Sequence, residues 1–81
     1  MSFYVYVLKS EVADRRYIGS CKDIEARLKQ HNRGKVRSSK GYIPYKVAYS
    51  EKFETNGEAL HREKFFKTID GYRFLKSKGI Y

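Results

Sequence analysis

The first apolar segment of the chain alternates between the two sides of an extended strand. Residues 3–8 are dense in β-branched and aromatic side chains and are too short for a free-standing helix, which predicts a strand. Successive side chains of a strand point to opposite faces. The two faces consist of Tyr4, Tyr6 and Leu8 on one side, and of Phe3, Val5 and Val7 on the other. Both faces are apolar, so we expect both to be covered.

A polar segment, residues 10–15, separates this strand from a second one at residues 16–19. A segment of this length can form a hairpin turn, although no Asn-Gly or Asp-Gly pair sets its type. The two strands should therefore be antiparallel neighbours, with a tight bend at Gly19. Such pairing brings Tyr6 and Tyr17 into one sheet, where both phenols could open toward one site if the register allows it.

A helix is expected to follow Asp23 and to end near residues 32–34. Asp23 can cap its N-terminus, because the side chain accepts a hydrogen bond from a free backbone N–H of the first turn. Residues four apart stack on one helix face. The pairs related in this way are Ile24 with Leu28, and Arg27 with His31 on an adjacent face. The pattern predicts that one face packs and that the other carries chemistry.

A loop and a third strand follow this helix. Residues 33–41 contain two glycines, two serines and four cations around Val36, which is typical of a loop. Lysine and arginine charges and serine hydroxyls can all reach phosphate oxygens, so the loop suits a nucleic acid backbone. A solvated basic loop that binds nothing is the alternative. After Pro44, residues 45–50 alternate as a third strand does.

The last third of the chain is predicted to be helical. Residues 55–58 have the Thr-x-x-Glu spacing of a capping box, so a second helix should start there and run through Lys67. We expect a break at Gly71, a short amphipathic helix at residues 72–76 and an end at Gly79. The pattern thus predicts an α+β fold in which a small three-stranded antiparallel sheet is flanked by about three helices.

Glu63 is placed unusually for a carboxylate. It follows Ala59 by four residues and precedes Phe66 by three, so it shares an inward helical stripe with apolar residues. A carboxylate in such a position is costly unless it is paired or binds a metal. The alternatives are an ion pair with Arg62 or Lys67, or a slightly rotated helix that exposes Glu63.

Composition and charge narrow the function. The chain has 81 residues, too few for two cores, so we expect one domain spanning residues 1–81. Eighteen Lys and Arg against nine Asp and Glu give a net charge of +9, which favours a polyanionic partner such as nucleic acid. An apolar run long enough to cross a membrane is lacking, and Cys21 is the single cysteine. We therefore expect a cytoplasmic protein that does not act at a membrane.

With these residues in view, the chain resembles a GIY-YIG nuclease domain of the small stand-alone kind. Tyr4-Val5-Tyr6 stands where the family has Gly-Ile-Tyr, and Tyr17-Ile18-Gly19 matches Tyr-Ile-Gly as written. Arg27 and His31 follow at the family spacing. Glu63 lies within residues 58–64, which resemble the metal-binding segment of the family.

The chain departs from the family pattern at two positions. Tyr4 puts a bulky ring where the family often has glycine, and Ser20 stands where some members have a lysine that contacts phosphate. Lys22 or Lys29 could substitute for that lysine.

The resemblance implies an endonuclease that hydrolyses phosphodiester bonds in DNA with Mg²⁺ or Mn²⁺. In that case Glu63 would bind the metal, and Arg27 would brace the phosphate by a forked contact. Tyr17, assisted by Tyr6 or His31, would orient or deprotonate the attacking water. Because a second recognition domain is absent, we expect a nickase with little sequence preference, acting as a monomer or weak homodimer.

The residues expected to contact the DNA backbone come from the first helix and the basic loop. They are Lys22, Lys29, Arg33, Lys35, Arg37, Ser39 and Lys40. Two other hypotheses are open. One is a basic nucleic-acid-binding module with reduced catalysis that acts with a partner protein. The other is a structural or RNA-associated protein that uses its charge for adhesion.

Overall fold

The computed structural model describes residues 2–81, which form one sheet and three α-helices. The elements in chain order are β1 (Phe3–Ser10), β2 (Arg16–Cys21), α1 (Ile24–Asn32), a short 3₁₀ helix (Lys40–Tyr42), β3 (Tyr45–Phe53), α2 (Asn56–Phe66) and α3 (Ile69–Ser77). The strand order is β2-β1-β3, and β1 pairs antiparallel with both neighbours. The predicted α+β fold with a three-stranded antiparallel sheet is confirmed.

The two faces of β1 form two separate cores, as its alternation predicts. Val5 and Val7 pack with Ala59, Phe66 and Leu75 on the side of α2 and α3. On the opposite side, the buried residues are Tyr6, Leu8 and Tyr45, and the half-buried residues packed against them include Tyr17, Ile24 and Leu28. The sheet is thus one layer between α1 and the α2–α3 pair.

The first two helices begin at the predicted capping residues, whereas α3 begins at Ile69, three residues before its predicted start. Asp23 Oδ1 accepts a hydrogen bond from the backbone N–H of Ala26 at 3.1 Å. At the start of α2, the backbone N–H of Glu58 donates to Thr55 Oγ1, and the Thr55 N–H donates to Glu58 Oε1, both at 3.2 Å. This is the predicted capping box, and each side chain satisfies a backbone donor that the helix leaves free.

Two glycines act differently from what the pattern predicts. Gly19 is a buried residue inside β2 and not a bend after it. Gly71 does not break a helix either, because it lies in the first turn of α3. A Cβ at Gly71 would lie 2.0 Å from the Phe65 carbonyl oxygen, so the glycine permits the close approach of two helices. Gly79, with φ +80°, ends the helical region as predicted.

An irregularity in β3 determines which tyrosine faces which core. Val7 pairs with Tyr49 and Leu8 pairs with Val47, so Ala48 is an extra residue on β3. Residues four apart on a regular strand share a face, but this bulge reverses the alternation. Tyr45 consequently packs on the α1 side and Tyr49 on the α2 side. The strand also continues three residues beyond the predicted end at residue 50.

Within residues 2–81, the helices are shorter or more polar than a helix that crosses a bilayer.

Candidate active site

The register of β1 and β2 places the two motif tyrosines side by side. Tyr6 lies opposite Gly19, and Leu8 lies opposite Tyr17. The Tyr6 and Tyr17 rings stack with centroids 6.4 Å apart. A Cβ at Gly19 would lie 2.5 Å from the Tyr6 hydroxyl oxygen and 2.8 Å from its Cζ. The phenol of Tyr6 therefore lies across the space that the missing side chain of Gly19 leaves free.

Helix α1 brings Arg27 and His31 to these two rings. Arg27 Nε donates a hydrogen bond to the Tyr6 hydroxyl at 3.3 Å, and His31 Nε2 lies 3.3 Å from the same oxygen. The His31 ring meets the Tyr17 ring edge-on, with centroids 4.4 Å apart. Four predicted site residues, Tyr6, Tyr17, Arg27 and His31, therefore converge between β1, β2 and α1.

His31 is buried and has a partner at its second nitrogen. Its Nδ1 lies 2.7 Å from Ser39 Oγ, which also donates to the Val36 carbonyl oxygen at 3.3 Å. His31 and Ser39 are both almost fully inaccessible to solvent. Ser39 is therefore not a surface residue, and the prediction that it contacts DNA is wrong. The loop folds back at this point because its serine satisfies a buried imidazole.

The burial of this cluster determines its protonation. Burial, reinforced by the positive charge of Arg27, lowers the pKa of His31 from 6.5 to about 4, so the imidazole is neutral at pH 7. Burial also raises the pKa of Tyr6, and the hydrogen bond from Arg27 only partly opposes this effect. The same hydrogen bond raises the pKa of Arg27. At neutral pH the cluster therefore contains a protonated phenol, a neutral imidazole and a guanidinium.

Two members of the cluster remain partly open to solvent. Tyr17 and Arg27 are half-buried, whereas Tyr6 and His31 are closed off behind them. Arg27 uses Nε for Tyr6 and NH1 for Gln30 Oε1, at 2.8 Å. Because a guanidinium has five N–H groups, three remain for an anion. The part of the site that solvent can reach thus consists of the Arg27 guanidinium, held in place by its hydrogen bonds, and the Tyr17 phenol.

Glu63 lies on the other side of the sheet, in α2. Successive helical residues are about 100° apart, so Arg62 and Glu63 lie on opposite flanks of the stripe that Ala59 and Phe66 bury. Arg62 reaches β3, where it binds Glu51. Glu63 is therefore on the flank opposite to Arg62 and Glu51. The side chain keeps 20% exposure, and its Oε2 accepts a hydrogen bond from Lys67 Nζ at 3.0 Å.

The ion pairs of α2 show whether Arg62 or Lys67 is the partner of Glu63. Of the two partners weighed for Glu63, Lys67 is the one that binds it. Arg62 instead contacts Glu51 through Nε at 2.8 Å and through NH2 at 3.2 Å. Burial alone would raise the pKa of Glu51, but the hydrogen bonds from Arg62 and Tyr49 lower it overall. Arg62 and Glu51 thus form a structural pair, and Glu63 has a weaker partner.

Glu63 and its surroundings fit only one kind of metal site. Within residues 2–81, His, Cys, Asp and Glu side chains do not form any group of three or more that could hold an ion. A single carboxylate suits Mg²⁺ or Mn²⁺, which retain several waters and take further oxygens from a phosphate. The Lys67 contact is an i,i+4 pair worth about 0.3–0.5 kcal/mol, so an ion can displace it at low cost.

The predicted DNA-contacting cations are all exposed along one part of the chain. They lie just before α1, on α1 and in the loop after it: Lys22, Lys29, Arg33, Lys35, Arg37 and Lys40. Lys22 additionally lies over the Phe3 ring, 5.6 Å from its centroid. Arg27, the cation at the tyrosine cluster, lies on α1 within this same part of the chain.

Sequence reasoning missed Asn32, which helps to hold the site together, and gave Ser39 the wrong role. Asn32 donates from Nδ2 to the Tyr45 carbonyl at 3.0 Å and accepts from the Tyr45 N–H at 2.6 Å, which ties the end of α1 to β3. Ser39 supports His31 from the loop. A polar residue at a helix end was the only signal for Asn32, and nothing in the pattern indicated that Ser39 is buried.

Comparisons with known proteins agree with this arrangement. The GIY-YIG catalytic domain matches residues 2–71. A UPF0213 protein of Staphylococcus aureus strain Mu3 is 40% identical over 76 residues, which cover 93% of this chain and 92% of the relative. A UPF0213 protein of Staphylococcus saprophyticus is 38% identical over 74 residues, covering 90% and 89%.

A solved structure shares the fold. The solution NMR structure of a UPF0213 protein from Bacillus halodurans superposes with a TM-score of 0.56 at 28% identity, covering 95% of this chain and 84% of that one. The matched region contains both strand motifs, α1 with Arg27 and His31, and α2 with Glu63. The chain therefore belongs to the GIY-YIG catalytic domain family, a family of nucleases.

Proposed function

We propose that this protein is a divalent-metal-dependent endonuclease that hydrolyses phosphodiester bonds in DNA and nicks with little sequence preference. The observation that carries the proposal is the convergence of Tyr6, Tyr17, Arg27 and His31 between β1, β2 and α1. A half-buried guanidinium beside a phenol suits a reaction in which negative charge grows on phosphate oxygens. The surrounding exposed cations suit a polyanionic substrate.

Arg27 is the residue that would bind the scissile phosphate. Its Nε is occupied by Tyr6 and one NH1 hydrogen by Gln30, so the guanidinium is held in one orientation. The remaining N–H groups can make a forked contact with two nonbridging oxygens. An arginine that is oriented before the substrate arrives loses little entropy on binding, which favours the transition state.

Tyr17 is the residue that would orient the attacking water. It is half-buried, whereas Tyr6 is closed off, and burial raises the pKa of the Tyr6 phenol above its ordinary value. The two tyrosines therefore have different tasks. Tyr6 links Arg27 to His31, and Tyr17 is left to contact the water, with the neutral His31 ring packed against it. This edge-on contact fixes the direction of the Tyr17 ring, so that its hydroxyl can orient the water.

Glu63 would hold the metal through its carboxylate after release of Lys67. Because α2 and the tyrosine cluster lie on opposite faces of the sheet, the phosphate would lie at an edge of the sheet to reach both. The ion would supply positive charge at the phosphate and promote the leaving of the ester oxygen. The waters of the ion and the phosphate would complete its coordination, since Glu63 is the single carboxylate on this flank of the α2 stripe within residues 2–81.

The test is a plasmid-nicking assay with Mg²⁺, with Mn²⁺ and with a chelator, on the wild-type protein and on Glu63→Gln. We expect nicking only with a metal, no nicking by Glu63→Gln, and unchanged DNA affinity of that variant. Glu54→Gln is the matched control, because Glu54 is an exposed carboxylate whose loss changes the net charge equally. Cleavage by Glu63→Gln at the wild-type rate would show that Glu63 only pairs with Lys67.

A basic binding module without catalysis is the second candidate. It is favoured by Tyr4, which stands at the glycine position of the first motif. Tyr4 lies on the same face as Tyr6, but it lines an open cleft at the start of α1 with Lys22, Asp23, Ile24 and Glu25. This cleft contains none of the four residues of the tyrosine cluster. Tight DNA binding without nicking under any metal condition would favour this candidate.

A further inference from the structure

The hydrogen bonds around His31 form one chain with a single consistent direction. Ser39 Oγ lies 3.3 Å from the Val36 carbonyl oxygen, which can only accept, so a Ser39 hydroxyl that keeps this contact donates its proton there. The oxygen of Ser39 must then accept from His31 Nδ1 at 2.7 Å, which requires a proton on Nδ1. Nε2 consequently carries a lone pair toward the Tyr6 hydroxyl.

The rest of the chain follows from the same reasoning. Tyr6 donates its proton to His31 Nε2, and its oxygen accepts from Arg27 Nε, both at 3.3 Å. The opposite tautomer would require Ser39 to give up the Val36 carbonyl. That tautomer would also leave the hydroxyl proton of Tyr6 without a partner, and Tyr6 is only 1% exposed. A buried group without a partner costs roughly 1–3 kcal/mol, so the direction is strongly preferred.

We propose that Ser39 is a positioning residue for the active site. Its hydroxyl holds His31 in the Nδ1–H tautomer, which lets Nε2 bind the Tyr6 proton, and Tyr6 in turn orients Arg27 toward the phosphate. The relevance to catalysis rests on the proposed nuclease function. The assignment of the His31 tautomer does not rest on that function, because the tautomer is a property of the folded protein.

The position of Ser39 in the chain gives this contact a second consequence. Ser39 lies between Arg37 and Lys40, two exposed cations of the loop that is expected to bind DNA. Its contact with His31 joins this loop to the site. A change in the loop at Ser39 therefore reaches the guanidinium through two intermediate groups, His31 and Tyr6.

The direct test uses the wild-type protein and needs no activity. Two-dimensional ¹H–¹⁵N spectra that correlate the imidazole ring atoms distinguish the two neutral tautomers of His31 by their nitrogen shifts. We expect the Nδ1–H tautomer to predominate at pH 7. If the Nε2–H form predominates in the wild type, the proposal is wrong regardless of how any variant behaves.

The functional test compares three variants at matched folded fractions. Ser39→Ala should lower kcat by about tenfold with little change in KM for DNA, and it should shift His31 toward a mixture of tautomers. Ser39→Thr, which keeps the hydroxyl, should restore both. Ser38→Ala is the control, because Ser38 is its exposed neighbour. A Ser39→Ala variant with the wild-type tautomer and rate would overturn the proposal.

The two proposals fail in different ways. If the wild type does not cleave DNA under any metal condition, the nuclease function fails, while the His31 spectra still test the role of Ser39. If Ser39→Ala is too unstable to assay, the wild-type spectra and the Ser39→Thr variant decide. Loss of the Nδ1–H tautomer in Ser39→Thr would count against the hydroxyl as its cause.

Discussion

Gly19 and Tyr6 face each other across β1 and β2, and a Cβ at position 19 would lie 2.5 Å from the Tyr6 hydroxyl oxygen. The glycine of the Tyr-Ile-Gly motif is therefore a requirement of space and not of backbone conformation, since its φ is not positive. The phenol that Gly19 admits is the group that links Arg27 to His31.

Gly19→Ala should displace Tyr6 and reduce cleavage strongly. The Tyr6 ring is packed between Tyr17 and His31, so it has little freedom to move away from a new methyl group. We expect a loss of about 1–3 kcal/mol in the free energy of unfolding and at least a tenfold loss in rate. Urea denaturation and the nicking assay measure the two effects.

The control is Gly57→Ala in α2, where an added Cβ would meet no atom within 4 Å. That variant should be unchanged or more stable by up to about 1 kcal/mol, because alanine is the better helix former. Equal stability and activity of the two alanine variants would contradict the steric role of Gly19.

The stability of the protein should fall as the pH decreases from 6.5 to about 4 because of His31. The folded-state pKa of His31 lies below its unfolded value, so the unfolded chain binds more protons in this range. The contribution of His31 to the free energy of unfolding is complete above its pKa in the unfolded chain. It is lost as the pH falls toward its pKa in the folded protein. It amounts to roughly 3 kcal/mol. The charged or titratable groups that face the ring are Tyr6, Tyr17, Arg27 and Tyr45.

Urea unfolding as a function of pH measures this effect, and His31→Gln is the control. The variant should lose the slope between pH 6.5 and about 4. Glu51, whose pKa is lowered, continues to destabilise both proteins when the pH falls through its own range. A wild-type profile that is flat in the His31 range would disprove the buried neutral imidazole.

Arg27→Ala should cost cleavage about two orders of magnitude with a small effect on DNA affinity. A charged donor aimed at the reacting phosphate contributes on the order of 3 kcal/mol to the transition state. Arg37→Ala removes the same charge from an exposed loop position and is the matched control. Single-turnover rates measure the effect on cleavage, and binding isotherms measure the effect on DNA affinity. If the two variants cleave at the same rate, Arg27 does not bind the scissile phosphate.

Lys35→Ala and Lys40→Ala should weaken binding without changing the rate of the bound complex. Both side chains are exposed in the loop. Each phosphate contact that is lost should reduce the slope of log K against log salt by roughly 0.9 on duplex DNA. Binding measured at several salt concentrations tests this, and an unchanged slope in both variants would show that the loop does not contact the backbone.

Supercoiled plasmid should become open circles before any linear DNA forms. One chain supplies one Tyr17, one Arg27 and one Glu63, so a monomer reaches one scissile phosphate at a time. Cutting both strands together needs two sites, which a two-fold homodimer can provide. A time course at low enzyme concentration, with the mass in solution, tests this prediction. Linear product formed directly by a dimeric species is the opposing result.

Local rules were sufficient for the elements themselves. The alternation of residues 3–8 predicted a strand with two apolar faces, and both faces are covered. Asp23 and the Thr55–Glu58 box predicted where two helices begin, because capping depends on neighbours in the chain. The spacing of Arg27 and His31 predicted that they share a face, since helical periodicity is also local.

Tertiary contacts decided the rest. Gly19 and Gly71 were expected to be a bend and a break, but both are sites where another backbone or ring comes close. The bulge at Ala48 changed the relative facing of Tyr45 and Tyr49, because its extra residue shifts the alternation of side chains by one position. Ser39 was expected to be exposed because it lies in a polar loop, but its tertiary contact with His31 buries it.

The sequence by itself determined the sheet, the capped helices and the face of α1 that carries Arg27 and His31, because periodicity and capping act within a few residues of the chain. Only the tertiary structure decided that Tyr6 bridges these two residues, that Ser39 closes the chain of hydrogen bonds behind them, and that Glu63 pairs with Lys67 while Arg62 binds Glu51. The partners in these contacts, apart from the i,i+4 pair in α2, come from different elements, and their meeting depends on the register and packing of the whole domain.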